Sequence, residues 1–246
     1  MLGRTPHGVA PTQRGRELYS RIAEPLDQLE DVLAGLDGGR PPPGETPLRI
    51  GAAAELFQGY LLPRINTISA PTTATFGSDA QLIEALQAGE TDLIVTQSLP
   101  SRRDALDSVL IGHRNFVLVA SPAVAPTVLP ATVTELGAWL SDAPWVSYSH
   151  ELPVTRRFWS TTLGRPFNAD IHLTAPDLRV VATAVELGLG NSLLPSYICH
   201  EALAEGRLLT LYDVTRLIPA EPWFATTRRS DTANPLLNAA LMSIRD

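Results

Sequence analysis

An α/β fold with its sheets covered on both faces is what this 246-residue sequence predicts. Three observations carry the prediction. From Leu48 onward, short apolar runs of strand length alternate with longer segments whose apolar residues recur at helical spacing. The run Asp92–Thr96 has a continuous apolar centre, as a strand buried on two sides requires. Glycine and proline stand at the joints: Gly89 reads as a left-handed helix cap, Gly190 as a turn into a strand and Pro195 as the start of a helix.

Taken in order, Thr12 is a candidate N-cap, and Leu18, Ile22, Leu26, Leu29, Val32, Leu33 and Leu36 follow at three- and four-residue steps. They outline a long helix with a narrow apolar seam, interrupted by Pro25, which removes one hydrogen bond. Its seam suits a partner helix or its own domain equally. Residues 35–47, with Gly38-Gly39-Arg40-Pro41-Pro42-Pro43-Gly44, form a semi-rigid linker. Strands are then expected at 48–51, 73–76, 92–96, 116–120, 145–148, 169–173, 192–194, 208–211 and 223–227. Helices are expected at 55–68, 79–88, 134–140, 152–163, 176–187, 196–204 and 234–244.

Composition narrows the function classes. No apolar run reaches the ~18–20 residues that cross a bilayer, and the first residues lack a secretory core. A lone cysteine, Cys199, leaves no internal disulfide framework and fits the reducing cytoplasm. The net charge is −7, yet residues 1–23 hold four arginines against one acid, leaving 15 arginines against 25 acids elsewhere. An acidic body repels phosphate, so any nucleic-acid contact is expected through the basic head. No G-x-S-x-G elbow, Walker loop, G-x-G-x-x-G or HExxH is present, and Gly188-Leu189-Gly190 precedes a strand, the wrong place for a dinucleotide loop. Catalysis is not expected. His7, His113, His172 and His200 show no metal spacing with Cys199 or the acids, and no cofactor is called for. His150 reads as a surface-loop residue, Cys199 as a buried small hydrophobe, and Trp139, Trp145, Trp159 and Trp223 as core.

Five segments, in order and spacing, resemble the LysR-type transcriptional regulators. Arg4-Thr5-Pro6-His7-Gly8-Val9-Ala10-Pro11-Thr12-Gln13-Arg14-Gly15 is similar to that family's wing, and Leu48-Arg49-Ile50-Gly51 with Leu61-Leu62-Pro63 to its first effector-domain strand and helix. Leu82-Ile83-Glu84-Ala85-Leu86-Gln87-Ala88-Gly89-Glu90-Thr91-Asp92-Leu93-Ile94-Val95 is similar to its "L-x-x-x-L-x-x-G-E-L-D-L-A-I". Val185-Glu186-Leu187-Gly188-Leu189-Gly190-Asn191-Ser192-Leu193-Leu194-Pro195 and Ala204-Glu205-Gly206-Arg207-Leu208 complete the set.

The resemblance implies a two-lobed, type 2 periplasmic-binding-protein-like α/β effector domain, preceded by a long linker helix and the remnant of a winged helix-turn-helix. The implied division is 1–37 for wing remnant and linker helix, 38–47 for the linker and 48–246 for the effector domain. Within the last, subdomain I covers 48–114 and 224–246, and subdomain II covers 117–220, with crossings near Arg114–Val117 and Glu221–Ala225. A helix-turn-helix precedes the wing in the family, whereas here Met1 stands just before the wing arginine, so the recognition helix is expected to be missing. DNA is a partner only if those helices are present. Arg4, His7 and Arg14 are then the implied phosphate contacts, which position without specifying sequence.

A small-molecule effector is implied in the cleft, against Ala53, Ala54, Glu55, Gly77, Ser78, Thr96, Gln97, Ser147, Tyr148, Ser149 and Thr174, where hydroxyls and amides bind without burying net charge. Relatives carry Ser or Thr where this chain has Ala53-Ala54-Glu55. That departure argues against a simple carboxylate held there and fits a ligand with an amine or hydroxyl, but Glu55 is read first as favouring its own helix N-terminus. Between Pro63 and Phe76 the chain is several residues shorter than in relatives, which bears on the dimer face built there. A homodimer or homotetramer without membrane contact is implied. A solute-binding protein of the same fold is the alternative, disfavoured by the wing and linker helix.

Overall fold

The fold was analysed in a computed structural model, which describes residues 2–5, 8–12, 47–101 and 105–245. Residues 1–47 and 48–246 separate as two compact units. In the first, β1 (Leu2–Thr5) and β2 (Gly8–Pro11) pair antiparallel as a hairpin, Arg4 opposite Val9. Of Arg4 only the backbone is described. Residues 13–46, which hold the expected helix after Thr12, the linker up to Pro47 and Arg14, fall outside the described residues, as does His7.

The second unit holds two five-stranded sheets, each the centre of a lobe. The first contains β3 (Leu48–Ala52), β4 (Thr72–Phe76), β5 (Leu93–Thr96), β6 (Leu106–Arg114) and β12 (Glu221–Arg228), in the order β4-β3-β5-β12-β6. The second contains β7 (Phe116–Ala120), β8 (Trp145–Ser147), β9 (Ile171–Thr174), β10 (Asn191–Pro195) and β11 (Leu209–Tyr212), in the order β11-β7-β10-β8-β9. The chain leaves the first sheet after Arg114, enters the second at Phe116 and returns along 213–220 to β12, whose Glu221 pairs with Arg114. In both sheets three neighbouring strands are parallel, β4-β3-β5 and β10-β8-β9, and the others antiparallel.

Each sheet is covered on both faces. Helix α1 spans residues 54–65 as Ala54–Leu56, a π-helical stretch Phe57–Leu61 and Leu62–Ile65. It packs with the closing helix against one face of the first sheet, around Ile50, Leu93 and Trp223. Helix α2 (Asp79–Ala88) covers the other face, around Leu82, Leu86 and Ile94. In the second lobe, α3 (Val133–Asp142) and α4 (Pro153–Thr162) bury Leu136, Leu140, Phe158 and Trp159 on one face. Helices α5 (Leu178–Glu186) and α6 (Ser196–Ala204) bury Val181, Val185 and Cys199 on the other. Helix α7 (Pro235–Ile244) ends the chain. Every Leu or Ile so buried contributes roughly 1.5–3 kcal/mol, and β5, buried at all four positions, is the doubly covered strand that its apolar run predicts.

Two elements depart from expectation. Strand β6 lies where the sequence reading has no element, and α1 is not a plain α-helix. The Leu62 N–H reaches the Phe57 carbonyl, a five-residue step. Pro63 brings no N–H to the Gly59 carbonyl four residues back, and the wider turn puts Gly59 against the ring of Tyr197 from the other lobe.

Candidate functional site

Strands of both sheets end at a shared cleft of about 710 Å³. Its first wall is made by the residues just past β3 and β4: Ala53, Ala54 and Glu55 opening α1, and Gly77, Ser78 and Asp79 opening α2. Its second wall is made by the chain after β8 and by the starts of α4, α5 and α6, with Tyr148, Leu152, Asp177 and Pro195. Gln97, Arg114 and Phe116 lie at the joint between the lobes.

Local chemistry fixes most of these groups. Ser78 caps α2 by accepting the Gln81 N–H at 3.4 Å, and the Gln81 amide oxygen accepts the Ser78 N–H at 2.9 Å, closing a capping box. Asp79 accepts the backbone N–H groups of Gln97 (3.1 Å) and Ser98 (2.8 Å), tying α2 to the loop after β5. The Ser147 hydroxyl donates to the Ser149 carbonyl at 2.5 Å and accepts the Ser149 N–H at 3.2 Å. The Ser149 hydroxyl accepts the Leu152 N–H at 3.2 Å, and Leu152 adopts φ +49°, a left-handed conformation that a leucine seldom holds. These serines therefore spend their bonds shaping the turn that carries Tyr148.

Charge in the cleft is mostly answered. Arg114 pairs with Glu221, donates to the Gln97 side chain at 3.1 Å and lies over the Phe116 ring at 5.0 Å. Glu221 also takes Arg157 of α4 at 3.0 Å, an ion pair between lobes. Burial alone would raise Glu221, but the two guanidinium groups hold it below the usual carboxylate range. Asp177 caps α5 by accepting the Arg179 N–H at 2.8 Å and pairs with that guanidinium at 2.5 Å, which lowers its pKa to about 2. Burial pushes the Tyr148 phenol up, with Glu55 and Asp177 adding to the rise and Arg114 opposing it. Glu55 itself, half-buried, has neither a hydrogen bond nor an ion pair among the described residues.

Of the residues expected to face an effector, Ala53, Ala54, Glu55, Gly77, Ser78, Gln97, Ser147, Tyr148 and Ser149 line this cleft. Thr96 and Thr174 do not: Thr96 is buried with its hydroxyl turned to the Ser98 carbonyl at 2.9 Å, and Thr174 ends the outer strand β9. The sequence reading missed Arg114 and Asp177. Asp177 was findable as an N-cap ahead of an apolar helix; Arg114 ends a strand that went unrecognised. Among the described residues no three His, Cys, Asp or Glu side chains group as a metal site, and no helix is long and apolar enough to cross a membrane.

Comparison with known proteins bears on what this architecture does. The model of the LysR substrate binding domain matches residues 44–246. The HTH-type transcriptional regulator AbaB of Streptomyces antibioticus is 30% identical over 240 residues, covering 94% of this chain and 78% of AbaB. Full-length LysG of Corynebacterium glutamicum with bound effector Arg has a similar fold, with TM-score 0.62 at 18% identity over 99% of this chain and 82% of LysG. ArgP of Mycobacterium tuberculosis is similar over the whole chain and 80% of its own length, with TM-score 0.66 at 14% identity.

Proposed function

The chain belongs to the LysR-type transcriptional regulators, and on that premise we propose that the cleft is its effector receptor, with Ala53, Ala54, Glu55, Ser78, Gln97, Tyr148 and Asp177 meeting the ligand. The observation that carries this is a 710 Å³ cavity lined from both lobes; a ligand touching both walls binds one lobe arrangement better than another and so shifts the population between them. The proposed lobes are residues 48–114 with 221–245, and 116–220. The regulator acts in the cytoplasm as a homodimer or homotetramer, and the cleft carries out no reaction.

LysG is named with arginine as its effector, so arginine heads the panel of small metabolites to be screened by thermal shift. A ligand at 100 times its Kd stabilises by ~2.7 kcal/mol. Ala54→Trp, which fills the cleft, abolishes that stabilisation; a stabilising metabolite indifferent to Ala54→Trp places the receptor elsewhere. Arg4, His7 and Arg14 are proposed as phosphate contacts of the N-terminal segment, a contribution independent of base sequence and steep in salt.

A further inference from the structure

Among the described residues, Glu55 is the charged group lining the cleft that has neither a hydrogen bond nor an ion pair, and its charge says what kind of molecule fits there. Arg114 is engaged by Glu221 and Gln97, Asp79 by two backbone N–H groups, and Asp177 by Arg179. Arg179 spends its remaining reach on Gln58 at 3.5 Å. Glu55 stands in the first wall, half-buried, with no hydrogen bond or ion pair among the described residues, although its charge reaches the Arg179 guanidinium. Leaving a carboxylate half-desolvated and unpaired is unfavourable, and a ligand cation removes that cost while a ligand anion deepens it. Asp177, on the facing wall, adds negative potential to the same space. Two buried donors of cleft-lining residues, the Trp145 indole N–H and the Arg114 Nε–H, have no acceptor among the described residues.

We propose that the cleft selects an effector bearing a cationic nitrogen, an ammonium or guanidinium, which pairs with the Glu55 carboxylate. The inference rests on the cleft being the effector receptor and adds the ligand's chemical class. Because Glu55 belongs to the first lobe and Tyr148 to the second, a ligand that pairs its cation with Glu55 while touching the facing wall favours the closed arrangement.

The test is calorimetric titration of the full chain with agmatine, putrescine and arginine as cationic probes, glutarate and benzoate as anions, and sorbitol as a neutral. At least one cationic probe is expected to bind and to be blocked by Ala54→Trp. Glu55→Gln is expected to weaken it roughly 10- to 100-fold, the range for a hydrogen bond to a charged partner. Glu90→Gln, the same charge change at an exposed site outside the cleft, leaves it unchanged. Melting curves establish that each variant folds. Cationic binding that ignores Glu55→Gln overturns the proposal. Anions or sorbitol binding in place of the cations, with Ala54→Trp blocking them, overturns the ligand class and leaves the receptor reading standing. If no probe binds while a panel metabolite does so in the cleft, the cation proposal falls alone; if no metabolite binds at all, both fall.

Discussion

Asp92 shows how much one side chain can organise. It precedes β5 and takes Arg49 of β3 through three bonds, the backbone N–H at 3.0 Å, Nε at 3.1 Å and Nη2 at 2.7 Å, and Arg228 of β12 at 3.0 Å. It thereby joins the three central strands of the first sheet. Burial alone would raise its pKa, but the two arginines win and hold it below the ordinary value of 3.8. The sign follows. A carboxylate with a depressed folded pKa contributes stability that is present above its unfolded value, near 3.9, and is lost as pH falls through the folded one. Asp92→Asn should cost about 1.5–3 kcal/mol at pH 7, the range for hydrogen bonds to charged groups. Urea melts of both proteins should converge as the pH drops below about 4; a gap that does not narrow at all below that pH excludes the ionic account.

At the scale of elements, two capping boxes give a controlled comparison. Thr132 accepts the Glu135 N–H at 3.2 Å, and Glu135 returns to the Thr132 N–H at 3.2 Å, at the start of α3 away from the cleft. Ser78 does the same for α2 inside the cleft wall. Thr132→Ala and Ser78→Ala should each lose about 1 kcal/mol in chemical unfolding, whereas only Ser78→Ala should also reduce the effector-induced thermal shift. Equal effects on that shift would remove Ser78 from the site.

Elements also show where the sequence was readable. The fully buried β5 and the caps at Gly89 and Pro195 declare themselves through composition; Gly190 does too, and its structure supplies the reason, since a Cβ there would come within 2.5 Å of the Pro144 carbonyl oxygen. Strand β6 was not legible because its period is broken. Opposite Trp223 and Phe224 the register steps from Gly112 to Leu110, so Ile111 is an extra residue, and Ile111 and Gly112 are buried side by side. A bulge erases the alternation by which a strand is recognised. Arg114, at the end of that strand, was lost with it. The places of Glu55, Ser78 and Tyr148 on the cleft wall were legible because they follow the ends of recognisable strands, while nothing in the neighbours of Thr96 reveals that its hydroxyl folds back onto Ser98, away from the cleft lining.

For the whole molecule the decisive contact lies behind the cleft. Tyr197, on α6 of the second lobe, enters the core of the first, its ring 5.2 Å from that of Trp223, which in turn lies 4.4 Å from Tyr60. The entry is possible because residue 59 is glycine: a Cβ there would fall 2.6 Å from Tyr197 Cδ2 and 3.3 Å from the Tyr197 carbonyl oxygen. A ring packed between backbone and indole cannot yield cheaply, so one lobe would have to move against the other. Gly59→Ala should therefore destabilise by about 1–3 kcal/mol, the usual range for overpacking. Tyr197→Ala removes the ring the new methyl would strike, so the double variant should be more stable than the sum of the single losses, with a coupling above about 0.5 kcal/mol. Gly206→Ala serves as the reference: its φ is +73°, and a Cβ there meets nothing within 4 Å, so its loss should simply add to that of Tyr197→Ala. Denaturant melts of the five variants measure the two cycles side by side. If the Gly59 pair were as additive as the Gly206 pair, the ring would not hold the lobes together, and closure would have to be governed by the Arg157–Glu221 ion pair instead.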